Sequence, residues 1–228
     1  ATWARRTGLG WGPQAARRLF GPAHDVEPRR WNAAAEREGR RRRVFCASMA
    51  DVFEARPELD PERAKVWALI AETPWLDWLL LSKRTEHVST MVPWGTQWPG
   101  NVWIGTSVGV QASLPRIDTL RALPARVRFL SVEPLLESLG PLDLAGIGWV
   151  ICGGESGPGA RRMMPEWPRE VRDACIAADV PLFFKQWGDW SEDGVRVGKK
   201  HAGHVLDGRE WRQFPAGAPL PPRRMTEP

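Results

Sequence analysis

Six short apolar segments recur along the chain, and this repetition constrains the fold more than any other feature of the sequence. Each segment is about three to five residues long and begins about 22 to 34 residues after the previous one. Unbroken apolar runs of this length are typical of parallel strands that are buried on both faces. The segments begin at Val44, Trp78, Asn101, Val127, Trp149 and Leu182.

Helical patterns lie between several of these segments. A helix is predicted from Asp60, with Pro61 at its first position and apolar residues at helical spacing. Another is predicted around Ile117 and Leu120, and a third from Glu166 to Ala178. Alternating strands and helices indicate an α/β protein, and the spacing is close to the roughly 30 residues per unit of a (βα)8 barrel. Six strands do not close an eight-stranded barrel, so the sequence predicts a partial, TIM-like (βα) barrel or one whose first strands are missing. The alternative, an open doubly wound sheet, would need a Gly-x-Gly-x-x-Gly turn after its first strand, and the sequence has none there.

Polar side chains follow every predicted strand. In a barrel of parallel strands, the carboxyl ends meet at one rim, and ligand sites lie there. The sequence therefore predicts a small-molecule or nucleotide-like ligand at a shared rim. The predicted rim residues are Ser48, Asp51, Lys83, Arg84, Thr106, Ser107, Glu133, Glu155, Ser156, Lys185 and Gln186.

The fifth segment ends in a glycine-rich turn that carries a carboxylate, Glu155. Four of the seven residues 153–159 are glycine, so the backbone can approach a ligand closely, and Gly153 and Gly154 are predicted to contact it. A tight structural turn is the alternative. Glu133, Glu155 and Lys185 are the predicted catalytic residues, as groups capable of acid–base chemistry. Glu133 could instead form an ion pair with Lys83, Arg84 or Lys185.

The remaining composition narrows the class of protein. Three scattered cysteines are too few for a disulfide framework or a tetrahedral zinc site. His201 and His204 have no matching third ligand, so no metal site is predicted. No apolar run approaches the roughly 18 residues of a membrane span. No signal-peptide pattern opens the sequence, and a cytoplasmic location without membrane contact is expected.

Three regions are predicted along the chain. A helical N-terminal segment covers 1–43, the partial barrel covers 44–190, and an irregular extension covers 191–228. A hairpin is expected between Val195 and Trp211, and disorder is expected from Pro215 onward because the tail is rich in proline.

The charge leaves a nucleic-acid partner open. The net charge is +5 at pH 7, and the sequence pI is about 9.6. Arg40 to Arg43 form a basic run just before the first predicted strand, either a solvated face or a phosphate-binding patch.

Six long motifs of the sequence carry a resemblance to a known family. The motifs are FCASMADVFE (45–54), DWLLLSKRTE (77–86), NVWIGTSV (101–108), RFLSVEPLL (128–136), WVICGGESGPGARRM (149–163) and FFKQWGDW (183–190). They resemble a bacteriophage-derived family of uncharacterised proteins, named after phage gene products thirty-seven and sixty-eight and common in bacteria and prophages. The resemblance covers nearly all of residues 3–190, and it implies a radical S-adenosylmethionine-like partial barrel preceded by a cysteine-rich segment that holds a [4Fe–4S] cluster.

The resemblance also implies roles for individual residues, and the sequence departs from the family pattern at two places. Residues 153–155 resemble the glycine-containing strand end that contacts the methionine of S-adenosylmethionine, whose ribose meets polar rim groups. The sequence begins at a point that resembles the stretch just after the cluster segment, so a truncated product or a cluster-less variant is expected. Relatives look to carry Glu-Asn where this chain has Gly109 and Val110.

Three functions therefore stand as hypotheses. The first is a radical S-adenosylmethionine-type enzyme or its remnant, acting on a substrate that could be linked to nucleic acid. The second is a cluster-independent TIM-type enzyme that uses the rim carboxylates. The third is a non-catalytic, nucleic-acid-binding phage accessory protein.

Overall fold

The computed structural model describes residues 12, 15–17, 19, 21, 23–46 and 50–222. Ser48, which the sequence predicts at the rim, lies outside the described residues. Within them, the secondary structure comprises one six-stranded sheet, five α-helices, two short 3-10 helices and one small two-stranded sheet.

Six parallel strands form one sheet that curls into a half-barrel, as the spacing of the apolar segments predicts. The strand order in the sheet follows the order in the chain, and every neighbouring pair is parallel. The strands are β1 (Arg42–Cys46), β2 (Leu76–Ser82), β3 (Val102–Ser107), β4 (Val127–Val132), β5 (Trp149–Gly153) and β6 (Leu182–Gln186).

Helices connect many of the strands, as expected when parallel neighbours must be joined by crossovers. The helices are α1 (Ala23–Glu38), α2 (Asp60–Glu72), α3 (Thr85–Met91), α4 (Arg116–Arg121) and α5 (Glu166–Ala177). The helix α3 was not predicted, since TEHVSTM has only two apolar residues. Among the described residues, no helix has the length and apolar character needed to cross a membrane.

Both faces of the sheet are covered by apolar side chains, which explains why the strands read as unbroken apolar runs. On the outer face, residues such as Leu80, Ile104 and Val150 pack with the helices in the main core. On the inner face, Trp103 and Phe129 belong to a second cluster that contains no helix residue. Full burial of one such side chain contributes about 1.5–3 kcal/mol. The inner face is therefore a packed apolar floor rather than an open channel.

The first region boundary lies earlier than the sequence indicates. The strand β1 begins at Arg42, so the last two residues of the predicted helical segment 1–43 belong to the sheet. The apolar pattern does not reveal this start, because β1 is an edge strand that begins with two arginines whose side chains reach solvent.

The C-terminal extension is more ordered than predicted. Its small sheet consists of β7 (Val205–Leu206) and β8 (Arg209–Glu210), a shorter hairpin than Val195–Trp211. The following residues bond to the outer edge of β6, where Trp211 accepts from the Phe184 amide at 2.8 Å and Gln213 donates to Leu182 at 3.0 Å.

The chain then crosses the amino ends of the strands. Arg126 donates to the carbonyl of Gly217 at 3.2 Å, and Arg41 donates to that of Pro219 at 2.9 Å. The expectation of disorder from Pro215 is therefore wrong for residues 215–219. Hydrogen bonds from arginines that are distant in sequence hold residues 215–219, which have no large apolar side chain of their own.

Candidate functional site

The carboxyl end of the inner face forms a polar rim above the apolar floor. Because side chains alternate along a strand, Ser107, Ser131, Gly153 and Lys185 lie on the same face as the inner cluster, and Glu133 follows β4 directly. We call these five residues the mouth. Their strands are neighbours in the sheet, so the mouth is built by the parallel register.

Glu133 and Lys185 form an ion pair across β5. The Lys185 ammonium donates to Glu133 Oε2 at 2.8 Å, which confirms one of the pairings left open for Glu133. The other carboxylate oxygen, Oε1, is buried and has no hydrogen-bond partner among the described residues. The Glu133 side chain is 18% exposed and that of Lys185 is 49% exposed, so the pair is only partly shielded from solvent.

Gly153 lies directly beside the unpartnered oxygen. A methyl group placed on Gly153 would come within 3.0 Å of Glu133 Oε1 and within 3.3 Å of the carbonyl oxygen of Gln186. The absence of a side chain therefore keeps the surroundings of the carboxylate uncrowded. An unsatisfied buried carboxylate oxygen is costly, and such atoms in native proteins call for an explanation.

Gly154 has a structural role. Its amide donates to the carbonyl of Gln186 at 2.9 Å, and the Gln186 side chain donates back to the carbonyl of Gly154 at 3.2 Å. A methyl group on Gly154 would overlap the carbonyl of Trp187, and one on Gly188 would overlap that of Glu155. The turn after β5 and the turn after β6 thus approach too closely for side chains, which supports the structural alternative for this position.

Glu155 points to a different partner from Glu133. Both of its oxygens accept hydrogen bonds from the Arg161 guanidinium at 2.8 Å, and the Arg161 amide adds a third. These bonds to Arg161 lower the pKa of Glu155 from its ordinary 4.5 to about 2. The structure therefore joins Glu133 with Lys185 but leaves Glu155 in an ion pair of its own, next to an exposed Ser156.

Asp51 ties together the ends of β1 and β2. Its carboxylate accepts from the Ser82 hydroxyl at 2.8 Å, the Lys83 amide at 3.1 Å, the Arg84 guanidinium at 2.9 Å and the Phe53 amide at 3.0 Å. All four donors are protein groups, so the Asp51 carboxylate is hydrogen-bonded within the protein. The ion pair between Asp51 and Arg84 thus stabilises the loops after β1 and β2. The Ser82 hydroxyl, at the end of β2, binds the same carboxylate.

Lys83 differs from Arg84 because its ammonium forms no ion pair with any described residue. The side chain reaches solvent, yet protein atoms surround it in the concave rim, and this desolvation lowers its pKa. Repulsion from Arg116 lowers the pKa further. Arg116 itself donates to the carbonyl of Ser107 at 3.0 Å.

The sequence did not reveal Arg116 as a rim residue, because it follows β3 by nine residues and opens α4 rather than ending a strand. Thr106 lies on the outer face, fully buried, with no partner for its hydroxyl among the described residues. Gln186 likewise has a buried oxygen without a partner there.

The basic run Arg40–Arg43 is engaged within the protein. Arg40 and Arg42 both pair with Glu38, and Arg41 pairs with Asp77 at 3.1 Å. The Arg43 guanidinium lies 3.9 Å from the centre of the Phe214 ring. The proposed nucleic-acid partner stays a prediction, and this run adds little to it.

The cysteines do not form a ligand set for a [4Fe–4S] cluster. Cys46 lies on β1 and Cys152 on β5, both on the outer face, whereas Cys175 belongs to α5. Burial raises the pKa of Cys46 to about 11 and that of Cys175 to about 12, which opposes the thiolate that iron requires. Within the part of the chain that the structure describes, no three His, Cys, Asp or Glu residues are grouped to hold a metal.

Residues 2–215 match the family model described as "Protein of unknown function (DUF5131)". The chain belongs to the DUF5131 family. Since the match spans the whole half-barrel, the mouth lies inside the DUF5131 domain. No curated protein and no solved structure matches the chain. The resemblance to phage proteins and to radical S-adenosylmethionine enzymes stays a prediction for this DUF5131 member.

Proposed function

We propose that this DUF5131 protein binds a small molecule with an α-amino acid group, S-adenosylmethionine in particular, in the mouth of the half-barrel. The observation that carries the proposal is the buried, unpartnered Oε1 of Glu133 beside Gly153. The ammonium group of a ligand is a small, positively charged hydrogen-bond donor, and such a donor is the partner that this oxygen lacks.

The neighbouring cation suits the other half of an amino acid. Lys185 uses one of its three ammonium donors for Glu133 and keeps half of its side chain exposed. A ligand carboxylate beside Lys185 and a ligand ammonium beside Glu133 would turn one ion pair into a four-charge network. Hydrogen bonds to charged groups contribute about 1.5–3 kcal/mol each.

The apolar floor suits the rest of S-adenosylmethionine. Leu81 and Phe183 are half-buried and pack against the inner cluster, so they are available to a flat ring. Such a ring would lie on Phe183 in an offset or edge-on arrangement. When bound, S-adenosylmethionine supplies a sulfonium carbon that can be transferred to a nucleophile.

The chain's own residues hold and orient this ligand in the proposal. Glu133 fixes the ammonium, Lys185 fixes the carboxylate, and Gly153 leaves the space that both need. The acid–base hypothesis has less support, because Glu155 is held by Arg161 and does not join the pair of Glu133 and Lys185.

Isothermal titration calorimetry with S-adenosylmethionine, methionine and adenosine tests the proposal. We expect Glu133→Gln to weaken binding of S-adenosylmethionine and methionine at least tenfold, the effect of about 1.4 kcal/mol, because a neutral amide attracts an ammonium less. Adenosine binding should not change. Glu62→Gln, which alters a carboxylate on α2 paired with Lys65, is the control.

Two results would reject the proposal. One is a wild-type protein that binds none of the three ligands at millimolar concentration. The other is Glu133→Gln protein that binds methionine as tightly as the wild type does.

A further inference from the structure

Two cations, Lys83 and Arg116, lie at the carboxyl ends of β2 and β3, whereas Glu133 follows β4 and Lys185 lies near the end of β6. Lys83 directly follows β2, and Arg116 reaches back to the last residue of β3, where its guanidinium donates to the carbonyl of Ser107 at 3.0 Å. Since β2 and β3 are neighbours in the sheet, their carboxyl ends bring the two side chains to one place.

Neither cation has an acidic partner among the described residues, unlike the other cations of the rim. Arg84 pairs with Asp51 at 2.9 Å, Lys185 with Glu133 at 2.8 Å, and Arg161 with Glu155 at 2.8 Å. These contacts engage the nearby carboxylates and leave positive charge at the ends of β2 and β3.

The base of the Lys83 side chain is fixed, because its amide donates to Asp51 Oδ2 at 3.1 Å. Desolvation and the like charge of Arg116 lower the pKa of Lys83, and the Asp51 carboxylate offsets only part of this effect. Two positive charges at the ends of neighbouring strands repel each other, and an anion bound between them removes that repulsion. The position therefore favours a ligand with more than one negative charge.

We propose that Lys83 and Arg116 form a subsite for a phosphate group of the protein's substrate. The inference rests on the proposed function, since the substrate would share the mouth with the amino acid ligand. A phosphate fits better than a single carboxylate because its three oxygens can meet the guanidinium fork and the ammonium at the same time. The substrate class is thus a phosphorylated small molecule or a nucleotide.

Calorimetric titration of the whole chain with inorganic pyrophosphate at low salt tests the subsite. We expect Lys83→Met and Arg116→Met each to weaken pyrophosphate binding at least tenfold. Lys65→Met, which removes an exposed cation on α2, should leave binding unchanged. Malonate, a dicarboxylate, should bind at least tenfold more weakly than pyrophosphate.

S-adenosylmethionine binding to the same variants separates the two proposals. We expect it to stay within twofold of the wild type in Lys83→Met and Arg116→Met. If pyrophosphate binds through Lys83 and Arg116 but S-adenosylmethionine does not bind the wild type, the subsite stands and the proposed function fails.

Three results would overturn the subsite. One is pyrophosphate binding to either methionine variant as tightly as to the wild type, and another is malonate binding to the wild type as tightly as pyrophosphate does. Loss of S-adenosylmethionine binding together with pyrophosphate binding would show one site rather than two. If a methionine variant does not fold, Lys83→Gln and Arg116→Gln provide the same test.

Discussion

The two glycines that follow each other at the end of β5 have different neighbours. Gly153 borders the Glu133 carboxylate, whereas Gly154 lies against the backbone of the turn after β6. In the sequence the two glycines are indistinguishable, since they are adjacent and follow the same strand. A methyl group on Gly154 would overlap the backbone carbonyl of Trp187, whereas one on Gly153 would lie 3.3 Å from its nearest backbone atom.

Gly154→Ala should therefore destabilise the protein by about 1–3 kcal/mol, the usual cost of forcing extra volume into a packed position. Urea unfolding followed by circular dichroism measures this change. Gly148→Ala is the matched control, because a methyl group there would find its nearest atom at 3.6 Å. Equal stabilities of the two variants would contradict the packing described for the turn.

At the scale of elements, the turn after β5 is held by its own ion pair as well as by the turn after β6. Arg161 lies six residues after Glu155 and closes the loop onto it through three hydrogen bonds. Since the folded protein lowers the pKa of Glu155, folding favours the ionised carboxylate. The stabilisation is present above the ordinary pKa of 4.5 and is lost as the pH falls toward about 2.

Glu155→Gln should consequently lower the free energy of unfolding at pH 7, and the difference from the wild type should shrink between pH 4.5 and pH 2. Urea unfolding at pH 7, 5, 4 and 3 measures it. Glu86→Gln, an exposed carboxylate on α3, should alter stability little throughout. A wild-type advantage that is constant with pH would show that the Glu155 charge is not involved.

At the scale of the whole molecule, the C-terminal segment joins the two sides of the half-barrel. It bonds to β6 through residues 211–213 and reaches Arg41 beside β1 through Pro219. Between these points, the Phe214 ring packs 5.3 Å from the rings of both Trp149 and Phe183. The segment therefore covers the amino end of the inner face and leaves the mouth at the opposite end.

Phe214→Ala should destabilise the protein by about 1–2 kcal/mol, since it removes two aromatic contacts, each worth about 0.5–1.5 kcal/mol, from a ring that is 41% exposed. Thermal and urea unfolding measure the change. Leu220→Ala is the control, because Leu220 is 57% exposed. Stabilities that match the wild type would mean that the segment does not pack on the inner face.

The sequence by itself determined the class of fold. Unbroken apolar runs separated by helical patterns specify parallel strands covered on both faces, and their order along the chain became their order in the sheet. It also left Lys83, Arg84 and Lys185 open as partners of Glu133, and the structure forms the pair with Lys185. These features are local or periodic, so they can be recognised in a single amino-acid sequence.

Only the tertiary structure decided which polar groups meet. Glu133 reaches Lys185 across 52 residues and Arg41 reaches Pro219 across 178, whereas Glu155 turns to a partner six residues away. Arg116 joins the rim although it ends no strand. Which groups pair depends on strand register, on loop paths and on competition among many arginines for the same carboxylates. None of these produces a periodic pattern in the sequence.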